Sequence, residues 1–329
     1  MKTLIKRLAL LAILSALVGA GGLLWYGNQP LHFESQPKTI NVPLGAHLRS
    51  LSVILEKEDV IANAQAFWLL GRALGKGGTL KAGVYTLDKP LTPLELLAKI
   101  ERGEISQAMV RFIEGWNWRE IRAVLAAQPL LVNESAGMSH AELLRAIGAD
   151  EQHPEGLLFP DTYFFAPHTS DIKVLRRAYQ LQHEKLMAAW EKRAPGLPYR
   201  TPYEALIMAS IVEKETGAAF ERPRIAGVFL NRLRLGMRLQ TDPTVIYGLG
   251  ERFDGRLRRV DLQTDTPYNT YTRDGLPPTP IAMPSEAAIQ AALNPATTDA
   301  LYFVSRNDGT HVFSSNLDAH NRAVNRYQR

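Results

Sequence analysis

The chain of 329 residues contains no cysteine, which excludes disulfides, thiolate nucleophiles, iron–sulfur clusters and Cys-ligated zinc together. The redox compartment stays open, because an oxidising space permits disulfides without requiring them. Excess charge is also scarce. The formal balance is +5, and Lys2, Lys6 and Arg7 stand in the first seven residues, leaving +2 for the rest. Nucleic acid is therefore not implied as a partner. The eight histidines form no His-Glu-x-x-His pair, and His311 and His320 stand nine apart, so no metal site is supported. GRALGKGGT at 71–79 is not a phosphate loop, since only three residues separate Gly71 from Gly75 and Lys76 is followed by Gly. Ser35-Gln36-Pro37-Lys38 has the Ser-x-x-Lys spacing of some acyl enzymes, but Pro37 is incompatible with the helix interior that such a site needs. The 24 glycines and 20 prolines follow no collagen-like period, and 46% hydrophobic with 22% charged residues is ordinary globular usage. The length suits about two domains with a sizeable core.

What is present begins with an apolar run. Leu8–Tyr26 carries no charge over nineteen positions and follows a basic tail, residues 1–7. The run predicts a transmembrane helix over 8–26 with a cytoplasmic amino terminus, Trp25-Tyr26 in the far interface and the bulk of the protein outside the cytoplasmic membrane. A cleaved signal peptide is the competing reading, because Ala16, Gly19, Ala20 and Gly21 are small; Leu23–Tyr26 prolongs the run past them. Residues 27–38 read as a linker. From Thr39, a strand, a helix with Leu48, Leu51, Ile54 and Leu55 on one stripe, a helix capped by Asn63, a strand in KAGVYTLDKP and a capped helix in TPLELLAKIERG make a small α+β module over 39–103. Residues 104–153 form a connecting strand-helix region, and 154–329 a larger mixed α+β domain. The arginine clusters Arg232, Arg234, Arg238 and Arg256, Arg258, Arg259 read as a solvated face, or as an attraction for an anionic polymer.

The strongest local signal is a glutamate on a helix. Thr201-Pro202-Tyr203-Glu204 combines a Thr cap, Pro at the first helical position and Glu three after the cap. The helix should run through EALIMASIVEKET and stop at a left-handed Gly217. At about 100° per residue, Met208, Ile211, Val212 and Glu215 share a face, while Glu213 points away. The negative helix end and apolar neighbours raise the pKa of Glu215, with Lys214 in partial opposition. A carboxylic acid protonated near neutrality is what glycosidic cleavage requires. Taken alone, Glu-Lys-Glu reads more simply as a charged helix end. Downstream, Gln240, Thr241 and Asp242, then Tyr268, Asn269, Thr270 and Tyr271, supply rings and polar groups suited to pyranoses, or to ordinary turns.

Together these segments resemble the YceG-like endolytic murein transglycosylases. The likeness is carried by ASIVEKETG at 209–217, VFLNRLRLGMRLQTDPTVIYGLG at 228–250, YNTYTRDGLPPTPI at 268–281, EGLLFPDTYFF at 155–165 and HVFSSNLDAHN at 311–321. It extends more loosely over the apolar run and the 39–103 module. The resemblance implies a bitopic, single-pass inner-membrane protein with a LysM-like module and a catalytic domain in the periplasm, cutting nascent peptidoglycan within glycan strands. It assigns the catalytic carboxyl to the second Glu of Glu-Lys-Glu, Glu215. The implied reaction breaks the MurNAc–GlcNAc bond, leaves a 1,6-anhydro end, and needs no metal or cofactor. Sugar-positioning roles are expected for Gln240, Tyr268, Asn269 and Tyr271, with Thr241, Asp242 and Thr270 nearby. Synthases of the elongation or division machinery are the implied protein partners. A hydrolytic muramidase using Asp242 as a second carboxylate, and a catalytically silent peptidoglycan-binding scaffold, are the alternatives. Glu155 offers a further acid, but a structural role is the favoured reading, beside Phe159, Tyr163 and Phe164 as core.

Overall fold

The computed structural model describes residues 2–31, 33, 37–43, 45–76 and 80–328. The Ser35-Gln36 end of the Ser-x-x-Lys stretch and residues 77–79 of the glycine-rich turn lie outside them, as do 32 and 34–36 of the expected linker. Two compact units are present, Met1–Ala108 with Phe165–Pro167, and Met109–Phe164 with His168–Arg329.

In the first unit, α1 (Lys2–Gly27) precedes β1 (Lys38–Val42), α2 (Leu48–Lys57), α3 (Ala64–Ala73), β2 (Gly83–Leu87) and α4 (Pro93–Arg102). The strands pair antiparallel with Ile40 opposite Tyr85. The local signals act as the sequence predicts. Asn63 accepts from the Ala66 N–H at 2.9 Å, Thr92 and Glu95 form a reciprocal capping box, and Gly103 closes α4 at φ 72°. Leu48, Leu51 and Leu55 are buried, and join Ile40, Phe67, Tyr85, Leu96 and Ile100 in one core.

The expectation for α1 requires correction. Among the described residues no helix is long and apolar enough to cross a membrane, so the span at 8–26 and the single-pass inner-membrane topology built on it are overturned. Two features oppose the expectation. Ser15, Gly19, Ala20, Gly21 and Gly22 dilute the run with small side chains. Its last turn belongs to the module: Tyr26 packs against the core, and Gly27 lies so close to Leu94 and Leu70 that a Cβ would meet them at 3.0–3.3 Å. The aromatic pair assigned to an interface is thus divided, with Trp25 exposed and Tyr26 packed.

The second unit is mixed α+β, with more helix than strand. β3 (Ala108–Arg111) pairs with β5 (Thr162–Phe165), β4 (Leu131–Val132) with β6 (Thr169–Ser170), and β7 (Tyr302–Ser305) with β8 (His311–Ser314). The helices are α5 (Trp118–Ala126), α6 (His140–Ile147), α7 (Asp171–Glu191), α8 (Pro202–Glu215), α9 (Arg222–Arg234), α10 (Asp242–Leu249), α11 (Arg259–Gln263), α12 (Glu286–Leu293) and α13 (Leu317–Tyr327). The unit is organised round α8, which packs on α7, α9, α10 and α12. Its residues from Ala205 to Val212 are all buried, so it is apolar all round, as a central helix must be.

Candidate active site

Sequence and structure agree on how α8 begins and differ on how it ends. Thr201 Oγ1 accepts from the Glu204 N–H at 3.2 Å, whereas the Glu204 carboxylate accepts from the Arg200 N–H at 2.6 Å. The helix stops at Glu215, and Thr216 turns into an extended conformation at φ −145°. Gly217 is not left-handed: the break one residue earlier leaves nothing for it to cap. Glu215 is therefore the final helical residue, and its side chain leaves the core at the point where the backbone changes direction.

Because α8 is buried on every side, its two glutamates are separated by their partners and not by one wet and one dry face. Glu213 is shielded too, with 6% of its side chain exposed. It accepts from the Ser285 N–H at 3.0 Å and from the Ser285 hydroxyl, and pairs with Arg222 at 3.3 Å. It fastens α8 to the start of α12 and to α9. Lys214 donates to Gly115 O at 3.1 Å. Glu215 instead lines a cleft of about 520 Å³. Its Oε1 accepts a hydrogen bond from Thr241 Oγ1. Burial pushes its pKa up to about 7; the Thr241 hydroxyl opposes that rise, the Asp242 charge adds to it, and Arg232 opposes it more weakly. The direction matches the expectation from sequence, and desolvation is the principal cause.

The other expected residues divide into three groups. Gln240, Asp242 and Tyr271 line the cleft with Glu215. The Tyr271 hydroxyl donates to Asp242 Oδ1 at 2.6 Å. Gln240 holds a left-handed backbone at φ 49°, with its N–H bonded to Thr270 O at 3.1 Å. Thr241, Asn269 and Thr270 are buried. Thr241 carries the hydroxyl on Glu215, while Thr270 Oγ1 accepts from the Thr241 N–H at 3.0 Å. Asn269 spends its amide on the carbonyls of Asp261, Leu262 and Thr264 and accepts from the Tyr271 N–H. These are the bonds of a loop builder, and they leave its side chain no exposed surface. Tyr268 lies apart, in a second cavity with Glu155.

Several cleft residues were not singled out for the site in the sequence reading. Arg232, read there as part of a solvated face, is buried. Its guanidinium donates to Leu301 O at 2.7 Å, Leu239 O at 2.9 Å and Arg238 O at 3.1 Å, and lies over the Tyr302 ring at 5.0 Å. Desolvation lowers its pKa. A signal for it existed: Ile225, Val228 and Arg232 share a stripe on α9, the pattern that singled out Glu215. Tyr302 and His320, stacked at 5.1 Å, come from β7 and α13, and no local pattern ties them to Glu215. His311 Nδ1 lies 2.7 Å from Glu221 Oε2, a contact that occupies that ring nitrogen. Among the described residues, no group of three or more His, Asp or Glu could hold a metal ion.

Glu155 is buried at the far cavity. Its carboxylate accepts from the Trp118 N–H at 3.0 and 3.1 Å and from the Tyr247 hydroxyl at 2.9 Å. Burial raises its pKa to about 7 against those bonds. The neighbours expected to be core differ among themselves: Tyr163 is buried, whereas Phe164 is 50% exposed, because alternate residues of β5 face opposite sides.

A family model described as the YceG-like family matches residues 40–326. An endolytic murein transglycosylase of Bacillus subtilis is 32% identical over 328 residues, covering 93% of this chain and 90% of that protein. One from Streptococcus pneumoniae is 28% identical over 357 residues, covering 94% of this chain and 63% of that protein, so the chain spans less than two thirds of this relative. The crystal structure of a YceG-like protein from Listeria monocytogenes matches with a TM-score of 0.55 at 30% identity, covering 87% of this chain and 98% of that one.

Proposed function

The chain belongs to the YceG-like family and is, at the level of that family, an endolytic murein transglycosylase, and from that premise we propose that Glu215 cleaves the bond from MurNAc to GlcNAc within glycan strands. The observation that carries this is a carboxyl at the broken end of a buried helix, pushed up to about 7, facing an open cleft. Protonated, Glu215 donates to the glycosidic oxygen as the bond to the anomeric carbon breaks. The carboxylate left behind then removes the proton of the MurNAc 6-hydroxyl as that oxygen attacks the same carbon. The proton returns to Glu215, a 1,6-anhydro ring closes, and no water is consumed. To the Asp242 carboxylate, which lines the same cleft, falls the role of stabilising the positive charge developing on the sugar. Gln240 and Tyr271 offer an amide and a ring to the sugar. Thr241 orients the acid, held in turn by Thr270 and the loop that Asn269 builds.

Residues 39–103 are read as a LysM-like module that holds the same polymer, supported by the strand–helix–helix–strand order of β1, α2, α3 and β2. Recruitment of synthases rests on the resemblance alone.

Mass spectrometry of glycan strands digested by the chain tests the reaction. Anhydro-ended fragments from wild type and none from Glu215→Gln are expected, with turnover retained by Glu213→Gln. Fragments carrying added water would establish a muramidase, with Asp242 holding that water. Turnover by Glu215→Gln but not by Glu213→Gln would move the acid to Glu213.

A further inference from the structure

The cavity that holds Tyr268 shares no lining residue with the Glu215 cleft, and the reaction proposed above does not use it. It measures about 320 Å³ and is walled by Trp118, Glu155, Tyr247 and Tyr268, with Asn117 and His153 at its edge. A neighbouring cavity of about 450 Å³ shares His153 and adds Tyr203, Gln152 and Thr279. The two are tied where the Tyr268 hydroxyl meets Thr279 Oγ1 at 2.9 Å. The result is a trough of the size that holds small organic ligands.

Its chemistry is that of a pyranose site. Tyr247 and Tyr268 meet edge to face at 4.8 Å, and Trp118 and Tyr203 add further rings, surfaces that can cover the apolar face of a sugar. Asn117, Gln152 and His153 place amide and imidazole groups among those rings, suited to hydroxyl and N-acetyl groups, while the Glu155 carboxylate is spent on the Trp118 N–H and the Tyr247 hydroxyl. Formal positive charge is small: Arg119 is half exposed and stands 3.6 Å from Glu251. An uncharged polar ligand fits these walls better than an anion.

The trough also lies near the cleft along the chain. α10 carries Asp242 at its first residue and Tyr247 five residues on, about 7.5 Å along a helix axis. The next loop repeats the relation, with Tyr271 in the cleft and Tyr268 in the trough, three residues and at most about 10 Å apart. Two separate connections therefore set the trough within a few sugars of Glu215. An enzyme that cuts inside a strand has sugars on both sides of the bond it breaks, and a site within a few sugars of the acid can hold them.

We propose that the trough between Trp118, Glu155, Tyr247 and Tyr268 is a distal saccharide subsite that grips the glycan strand away from the scissile bond. The proposal rests on the glycan-cleaving function argued above. Its test compares kcat/KM of the full chain on long uncrosslinked glycan strands with that on the shortest oligosaccharide cleaved, for wild type, Tyr268→Ala and Gln152→Trp. Loss of one stacking contact predicts a penalty about tenfold larger on long strands than on short ones. Gln152→Trp adds bulk at an exposed residue and removes no core contact, so the comparison stands even if Tyr268→Ala fails to fold. Equal losses on both substrates, or no loss on either, would overturn the subsite and leave the cleavage reaction intact. A wild-type chain that cuts neither substrate would overturn the cleavage reaction, and the subsite with it.

Discussion

Glu215 and Glu155 are two carboxyls of one unit, each partly desolvated by burial and each pushed up to about 7. Their partners set them apart. Glu155 accepts a backbone N–H from the first residue of α5 and a tyrosine hydroxyl, partners fixed by secondary structure that leave it little freedom. Glu215 has one hydroxyl partner and an open cleft before it. Perturbed acidity therefore marks both positions, and only the availability of the carboxyl to a substrate distinguishes a proton donor from a brace.

The largest effect that sharpens this comparison is on turnover. Glu215→Gln should lower the rate of strand cleavage by about 10²–10⁴-fold, while Glu155→Gln, which keeps an oxygen for the Trp118 N–H, should cost less than about tenfold. Equal losses in a steady-state assay would break the distinction.

Stability against pH comes next. Both groups bind a proton more tightly in the folded chain than the ordinary 4.5 would allow. Their stabilising contribution is therefore full below about 4.5 and is lost as pH rises through about 7. For buried Glu155 the loss should be about 3 kcal/mol. Urea midpoints taken across that window should fall for wild type and fall less for Glu155→Gln; parallel slopes would show that Glu155 does not titrate there.

The smallest effect is a displacement of the pH–rate profile. Since Glu215 must start protonated, kcat/KM should decline above about pH 7. Asp242→Asn removes a charge that raises this pKa, so the descending limb should move to lower pH. Thr241→Val removes a hydroxyl that lowers it, and the limb should move the other way. A limb unmoved in both variants would mean that another group sets it.

Much of this comparison was legible before any coordinates. A helix stripe set Glu215 apart and the resemblance gave it its role, while the caps Asn63 and Thr92 came from residue type alone, since such bonds are local. The end of α8 was misjudged because Gly217 carries a stop signal that the chain does not use. Asn269 and Thr270 resemble a sugar platform in composition, yet they spend their polar atoms within the loop, a matter of tertiary pairing that spacing cannot register. The contributions of Tyr302 and His320 lie too far along the chain from Glu215 for any pattern to link them. For the apolar amino-terminal run, length and missing charge did not reveal that its last turn joins a core.

The three residues that close α8 go to three different places. Glu213 is bound to Ser285 and Arg222, Lys214 to Gly115, and Glu215 to a hydroxyl at the rim of an open space. In mechanical terms, the first two clamp the shaft and the third is held by a single side-chain bond. With the two residues before it anchored, the carboxyl reaches different atoms by rotation about its own side-chain bonds. A single group asked to give a proton to one oxygen and take one from another needs that short arc about a fixed pivot.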